Sequence, residues 1–259
     1  MDLELKDKVI IVTGGSKGIG NAICRLLANE KAIPIIVGRN KENVMDAVTQ
    51  IKEMGGKASF ALAELTDPIQ CEEAVAKLVK EYGRIDGLVN NAGVNDGVGL
   101  ENGNYEDFIL SLKRNLVHYY VMAKHALPYL KKSKGAIVNI GSKTSFTGQG
   151  GTSGYAAANG GRNSLTREWA VELLKYEIRV NTVIVAECFT PLYKRWIDTF
   201  PNPEEKLQSI VEKIPLGNRM TSGEEIASTV AFLISQRSGH TTGQHVFVDG
   251  GYTHLDRAL

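Results

Sequence analysis

The chain is poor in cysteine, and the three it has, Cys24, Cys71 and Cys188, are far apart with no CxxC pair. That spacing argues against a disulfide framework or a zinc site and suits a reducing compartment in which the thiols are packing residues. No charge of one sign dominates, with 30 Lys and Arg against 29 Asp and Glu. A broad field is therefore missing, and neither nucleic acid nor an anionic membrane surface is expected as a partner. No apolar run approaches the roughly 18 residues of a membrane span. The opening stretch MDLELKDKVIIVTGG lacks a basic region followed by an apolar run and a small-residue cleavage site, so a cytoplasmic location is expected. His118 and His125 fall on one helix face with no acidic or cysteine companion, and they read as packing or interface residues. No metal site is expected.

What is present is 43% apolar residues in a chain of 259, enough for a full core in one domain spanning residues 1–259. Short β-rich apolar runs alternate with longer segments of helical period: Lys8 to Thr13 then Gly18 to Glu30, Ile33 to Val37 then Lys41 to Met54, Ala58 to Ala63 then Pro68 to Tyr82. The alternation continues through Ile85 to Asn90, a long helix from about Tyr105 to Lys131, Ala136 to Ile140, Ser153 to Lys175, Arg179 to Val185, Gly223 to Ser235 and His245 to Val248. It predicts a single-domain α/β fold of Rossmann type, a doubly wound parallel sheet of about seven strands with helices on both faces. One stretch fits no βα unit, from about Phe189 to Leu216 with Pro191, Pro201, Pro203 and Pro215. It is expected to be a substrate-binding insertion beyond the strand ends.

The loop Thr13-Gly14-Gly15-Ser16-Lys17-Gly18-Ile19-Gly20 leaves the first strand and opens the first helix. Gly14 permits a tight turn, Gly18 admits the backbone to a pyrophosphate, and Gly20 permits close helix–strand packing. The spacing is Gly-x3-Gly-x-Gly. Cofactor choice is set at the end of the second strand, where an acid grips a ribose 2′-hydroxyl and a cation accommodates a 2′-phosphate. Here the strand ends Val37-Gly38-Arg39, with no carboxylate at the turn and Lys17 as a second cation. NADP is expected to be preferred, with NAD possible.

Ser142 stands at a strand end, and Tyr155 and Asn159 lie one helical turn apart on a single face. Together with the turn Asn90-Asn91-Ala92-Gly93 and Asn115 in the long helix, these residues resemble the short-chain dehydrogenase/reductase family over essentially the whole chain. The resemblance implies that Tyr155 is the acid/base on the substrate oxygen, that Ser142 hydrogen-bonds that oxygen, and that Asn115 holds a water in a proton relay. It also implies that Asn91, Ala92 and Gly93 line the adenosine-ribose side, Glu64 and Leu65 the adenine, and Thr190 the nicotinamide carboxamide. A homotetramer packed through the helices carrying Asn115 and Tyr155 follows from the same likeness.

The chain departs from that family where the pattern is Tyr-x3-Lys and this sequence reads Tyr155-Ala156-Ala157-Ala158-Asn159. A cation about 5 Å from a phenolate stabilises it by roughly 3 kcal/mol at an effective dielectric of about 20. Tyr155 is therefore expected to be a poorer base at neutral pH, while Asn159 is expected still to donate to a ribose hydroxyl. Lys143 is not expected to substitute, since the residue after Ser142 along a strand points to the opposite face. Val185-Ala186 stands where the family has Pro-Gly, which bears on the geometry around Thr190.

Segments outside the cofactor motifs are similar to bacterial L-fucose dehydrogenases: the turns from Asn91 to Gly97, Ser142-Lys143-Thr144, Gly148-Gln149-Gly150 and Ala186-Glu187, and the tail from Asp249 to Leu259. That likeness implies oxidation of the anomeric C1 hydroxyl of a free sugar to a lactone. Asn95, Asp96, Gln149, Glu187 and His254 are more polar than a steroid or acyl pocket wants, and Tyr193 and Trp196 offer flat faces to a sugar ring. The expected sugar contacts are Asn95, Ser142, Gln149, Tyr155, Glu187 and Trp196. Two other readings stay open: a short-chain reductase of another polar carbonyl, and a nucleotide-binding protein whose catalysis is impaired by Asn159.

Overall fold

The structure, a computed structural model, describes residues 2–255. Asp256, Arg257, Ala258 and Leu259, which belong to the tail pattern above, lie outside the described residues. Seven strands form one parallel sheet: β1 (Val9–Thr13), β2 (Ile33–Gly38), β3 (Ser59–Leu62), β4 (Gly87–Asn90), β5 (Ala136–Ser142), β6 (Arg179–Val185) and β7 (His245–Val248). Their order is β3-β2-β1-β4-β5-β6-β7, and the sheet is parallel, as the alternating pattern predicted. The winding reverses between β1 and β4, and that reversal opens a crevice at the carboxyl ends of the strands.

Period-2 alternation within the strands feeds two separate cores. Ile10, Val12 and Ile36 pack under α1 (Gly18–Asn29), α2 (Lys41–Glu53) and α10 (Gly223–Ile234). Val9, Ile11, Ile35 and Leu88 pack against α3 (Pro68–Tyr82), α5 (His118–Ser133) and α7 (Ser153–Glu172) on the other face. Helix boundaries follow local chemistry. The Asn40 side chain accepts from Asn43 N at the start of α2, Asp67 caps α3 ahead of Pro68, and Gly83 ends α3 with φ +69°. Ser222 and Glu225 form a reciprocal capping box at α10, which satisfies two N–H groups that the helix start leaves unpaired.

The helix expected from Tyr105 to Lys131 is present, but one π-turn interrupts its α-helical period. Its first part, α4 (Tyr105–Leu112), passes through one wide π-turn (Lys113–Val117) before α5. Such turns insert an extra residue and mark functional positions, and Asn115 sits in this one. Between β5 and α7 lies the short α6 (Thr144–Thr147), and after β6 come α8 (Pro191–Ile197) and α9 (Pro203–Val211). Cys24, Cys71 and Cys188 are free and buried, as expected. Among the described residues, no helix is long and apolar enough to cross a membrane, and no His, Cys, Asp and Glu group has the makeup of a metal site.

Candidate active site

The glycine loop is shaped for close approach. Gly14 and Gly18 hold φ of +65° and +55°, and a Cβ on Gly20 would stand 2.3 Å from the Gly14 carbonyl oxygen. Lys17 caps α1 without a side-chain hydrogen bond and with no acid in the first turn, so the N–H groups of that end face an anion without competition. The loop is braced from β4. Asn91 N and Ala92 N donate to Thr13 Oγ1 at 2.9 and 3.1 Å, and Asn91 Nδ2 donates to Thr13 O at 2.9 Å. A Cβ on Gly18 would meet the Thr190 side chain at 3.3 Å, so the turn after β6 closes over the same loop. The Thr190 hydroxyl accepts from Tyr193 N at 3.1 Å and caps α8. These residues fit a dinucleotide, with the pyrophosphate at the α1 terminus.

The turn expected to take the adenosine departs from expectation. A carboxylate does stand at the Arg39 turn, delivered by β3 instead of β2: Arg39 Nη1 donates to Glu64 Oε2 at 2.8 Å. Burial works against ionisation of Glu64, but the hydrogen bonds from Arg39 and Thr66 hold its carboxyl below the usual range. Both cations expected to face a 2′-phosphate, Lys17 and Arg39, are exposed. Leu65 follows Glu64 and packs at the edge of the core beneath it.

At the centre of the crevice, β5 delivers Ser142. Its Oγ accepts from Thr144 N at 3.3 Å and Thr144 Oγ1 at 3.2 Å, which turns its own proton away from both. Lys143 then breaks the expected alternation. With φ −49° and ψ −29° it is already helical, so its side chain is not carried to the far face of the sheet. Its ammonium pairs with Glu187, from the turn after β6, and stands 3.9 Å over the Tyr252 ring. Tyr193 lies against the same carboxylate, and burial together with Glu187 pushes its hydroxyl well up. Lys143, Tyr193 and Tyr252 thus form, with Glu187, a charged and aromatic wall beside Ser142.

On α7, Tyr155 is half-buried and Asn159 fully buried. Asn159, expected to donate to a ribose hydroxyl, has its side chain buried and bonded within the protein. Its Nδ2 donates to the Tyr155 carbonyl at 2.9 Å and its Oδ1 accepts from Arg162 Nη1 at 3.0 Å. Helical geometry explains the first bond, since a short side chain at i folds back onto the carbonyl at i−4. Asn115 is likewise anchored: its Oδ1 accepts from Val94 N at 2.7 Å and its Nδ2 donates to Ser111 O at 3.1 Å. Below the site runs a buried polar ladder. Asn90 Nδ2 donates to Asn139 Oδ1 at 3.0 Å, Asn139 Nδ2 to Thr166 Oγ1 at 2.9 Å, and Thr166 and Thr182 hydroxyls meet at 2.6 Å. It ties α7 to β4, β5 and β6.

The residues expected to make the outer sugar contacts are looser. Asn95 is exposed and its Oδ1 accepts from Gly97 N at 3.3 Å, and Gln149 is exposed on the loop before α7. Trp196 is 42% exposed and stacks edge-on with Tyr193 and Phe200, both at 5.1 Å. His254 is exposed and packs edge-on against Phe247 at 4.2 Å. A cleft of about 650 Å³ lies between α8 and α9, lined by Phe189, Lys194, Asp198 and Leu207 among others. Neither Ser142 nor Tyr155 lines it. Sequence reasoning missed Arg162 and misjudged Lys143. The signal for Arg162 was its place seven residues after Tyr155, on the same helix face.

A family profile described as enoyl-(acyl carrier protein) reductase matches residues 14–253. The 3-oxoacyl-[acyl-carrier-protein] reductase FabG of Thermotoga maritima is 36% identical over 250 residues, covering 96% of this chain and 99% of that protein. Among solved structures, Cj0485 dehydrogenase is 47% identical with a TM-score of 0.94, covering 100% of this chain and 99% of the other. The aldohexose dehydrogenase of Thermoplasma acidophilum is 29% identical with a TM-score of 0.90, again over 100% and 99% of the two chains. With this sheet order, this glycine loop and matches over nearly its whole length, the chain belongs to the short-chain dehydrogenase/reductase family of NAD(P)-dependent oxidoreductases.

Proposed function

We propose that the protein oxidises the C1 hydroxyl of L-fucose or a related aldose to the lactone, with NADP preferred over NAD. The observation that carries this reading is the Lys143–Glu187 pair beside Ser142, a charged pocket wall that suits a polyol and costs an apolar substrate its desolvation. The aldohexose dehydrogenase resemblance supports the same class. When bound, the nicotinamide cofactor would supply the hydride acceptor for C1. Tyr155 takes the proton of the reacting hydroxyl, and the Ser142 hydroxyl donates a hydrogen bond to the same oxygen. Glu187, Asn95 and Gln149 accept from or donate to the remaining hydroxyls, and Trp196 covers a ring face from the segment 189–216, which serves as the substrate-binding insertion. Asn115 holds the relay position, and Thr190 would hold the carboxamide.

The test follows absorbance of the reduced cofactor with L-fucose, D-arabinose, L-galactose and cyclopentanol. Turnover of the sugars above the apolar alcohol is expected, and the reverse order removes the sugar assignment. One observation favours a second reading, a nucleotide-binding protein with impaired turnover: both polar ends of the Asn159 side chain are already bonded within the protein. Calorimetric binding of NADP without turnover of any alcohol would mark that outcome. Self-association as a tetramer is part of the proposal, supported by exposed Tyr105, Val117, Tyr120 and Val171 on the helices involved.

A further inference from the structure

Arg162 is a buried cation one helical turn beyond Asn159. Only 3% of it is exposed, and among the described residues no carboxylate pairs with it. Its guanidinium is held by oxygens of the catalytic region instead: Nε donates to Asn115 O at 2.5 Å, and Nη1 to Ile140 O and Asn159 Oδ1, each at 3.0 Å. Its Cζ stands 4.3 Å from the centre of the Tyr119 ring and 5.9 Å from that of Tyr155. Nη2 is enclosed without a partner and lies 2.9 Å from where a Cβ on Gly93 would be, so it sits directly behind the exposed backbone of the crevice wall. An unpaired buried guanidinium is costly, and a fold that keeps one commonly uses its field.

We propose that Arg162 supplies the positive charge missing at position 159: held by Asn115 and Asn159, its guanidinium favours the Tyr155 phenolate. The inference rests on the reading of Tyr155 as the proton acceptor. Arg162 acts through Tyr155 and is a positioning residue. Asn159 in this arrangement is not a broken lysine but the acceptor that aims the arginine, since a lysine there would set an ammonium against the guanidinium. The 5.9 Å runs from Cζ to the ring centre, and at separations of this order a unit charge in an effective dielectric of about 20 favours an opposite charge by roughly a hundredfold. The other titratable groups facing the guanidinium are His118 and Tyr119. Burial and Arg162 bring His118 down to about 4, and burial pushes Tyr119 up to about 12. Neither changes charge between about pH 6 and 10.

The experiment is a pH–rate profile at saturating NADP and L-fucose for the whole protein and for Arg162→Met, Arg162→Lys, Asn159→Lys and the double variant Arg162→Met/Asn159→Lys. Cofactor binding and near-ultraviolet circular dichroism report the fold of each. Arg162→Met should lower kcat at neutral pH by roughly a hundredfold, with the deficit closing as pH rises and KM little changed. Arg162→Lys should recover most of the rate. Asn159→Lys should gain less than about tenfold alone, yet restore roughly a hundredfold in the Arg162→Met background, a coupling that a purely structural arginine does not produce. A hundredfold gain from Asn159→Lys alone, or an unaltered profile in Arg162→Met, overturns the proposal. Should Arg162→Met fail to fold, the Arg162→Lys and Asn159→Lys arms still decide. Ultraviolet titration of tyrosinate, with Tyr155→Phe as the blank, reads the phenolate without turnover. A shift there in Arg162→Met in a protein inactive toward sugars leaves the Arg162 inference standing and removes only the substrate assignment, while no shift in Arg162→Met overturns the inference itself.

Discussion

The Lys143 ammonium and the Glu187 carboxylate meet across the ends of β5 and β6 with only 10% and 12% of their side chains exposed. Removing one partner strands the other in a poorly solvated place. Glu187→Gln is expected to cost about 3 kcal/mol of stability and to raise the KM for sugar by roughly tenfold or more. Lys143→Met/Glu187→Leu should regain the stability without regaining the affinity. Thermal unfolding and steady-state kinetics on the three proteins check this, and unchanged KM in Glu187→Gln would take the pair out of the substrate pocket.

Arg39 is 76% exposed, so its bond to Glu64 contributes at most about 1 kcal/mol and yields to a doubly charged phosphate. Glu64→Gln should therefore tighten NADP binding a few-fold, and Arg39→Ala should reduce the NADP-to-NAD affinity ratio by roughly tenfold. Titration calorimetry with both cofactors measures the ratio. A ratio indifferent to Arg39→Ala would disprove the assignment of that turn.

Gly20→Ala forces a methyl group to within 2.3 Å of the Gly14 carbonyl and 2.6 Å of Asn91 Nδ2. The loop must open to admit it, so cofactor affinity is expected to fall by at least a hundredfold, about 3 kcal/mol. Fluorescence of bound NADPH reads the loss. Wild-type affinity in the alanine variant would show that the loop is not shaped by this contact.

His118 is kept neutral by burial and by Arg162, which lower it from 6.5 to about 4. The unfolded chain binds the proton first, so the stability contributed by the neutral ring is fully present above about pH 6.5. It is lost as pH falls toward 4, by about 3 kcal/mol at most. Urea unfolding at a series of pH values should show that slope in the wild type and a flatter curve in His118→Gln. Equal slopes would place the acid sensitivity elsewhere.

All seven strands are legible in the sequence because each is a short apolar run bounded by polar turns, and the glycine loop is legible because it sits between a strand and a helix. The errors have separate physical causes. Periodicity carries straight through Lys113–Val117, since one extra residue in a turn barely disturbs a pattern of apolar positions. Alternation was extended one residue too far at Lys143, where the chain has already left the strand. Glu64 reaches Arg39 across 25 residues of sequence, and only the parallel pairing of β2 with β3 brings them together. Arg162 looks like a surface charge until the stripe of buried polar residues on α7, Asn159, Arg162, Asn163 and Thr166, is seen to face the sheet.

The ladder from Asn90 through Asn139 and Thr166 to Thr182 divides the molecule into fixed and yielding parts. Apolar surfaces slide over one another at small cost, but these three bonds have narrow tolerances, and a shift of α7 by an ångström loses them together at about 1 kcal/mol each. Tyr155 therefore rides on a helix that cannot drift along the sheet. Adjustment to ligands of different size falls to α8 and α9, which bury Ile197 alone between them. On the proposed function, the proton-handling geometry stays constant while the segment of α8 and α9 conforms, so variation in substrate preference among chains of this architecture should accumulate in that segment.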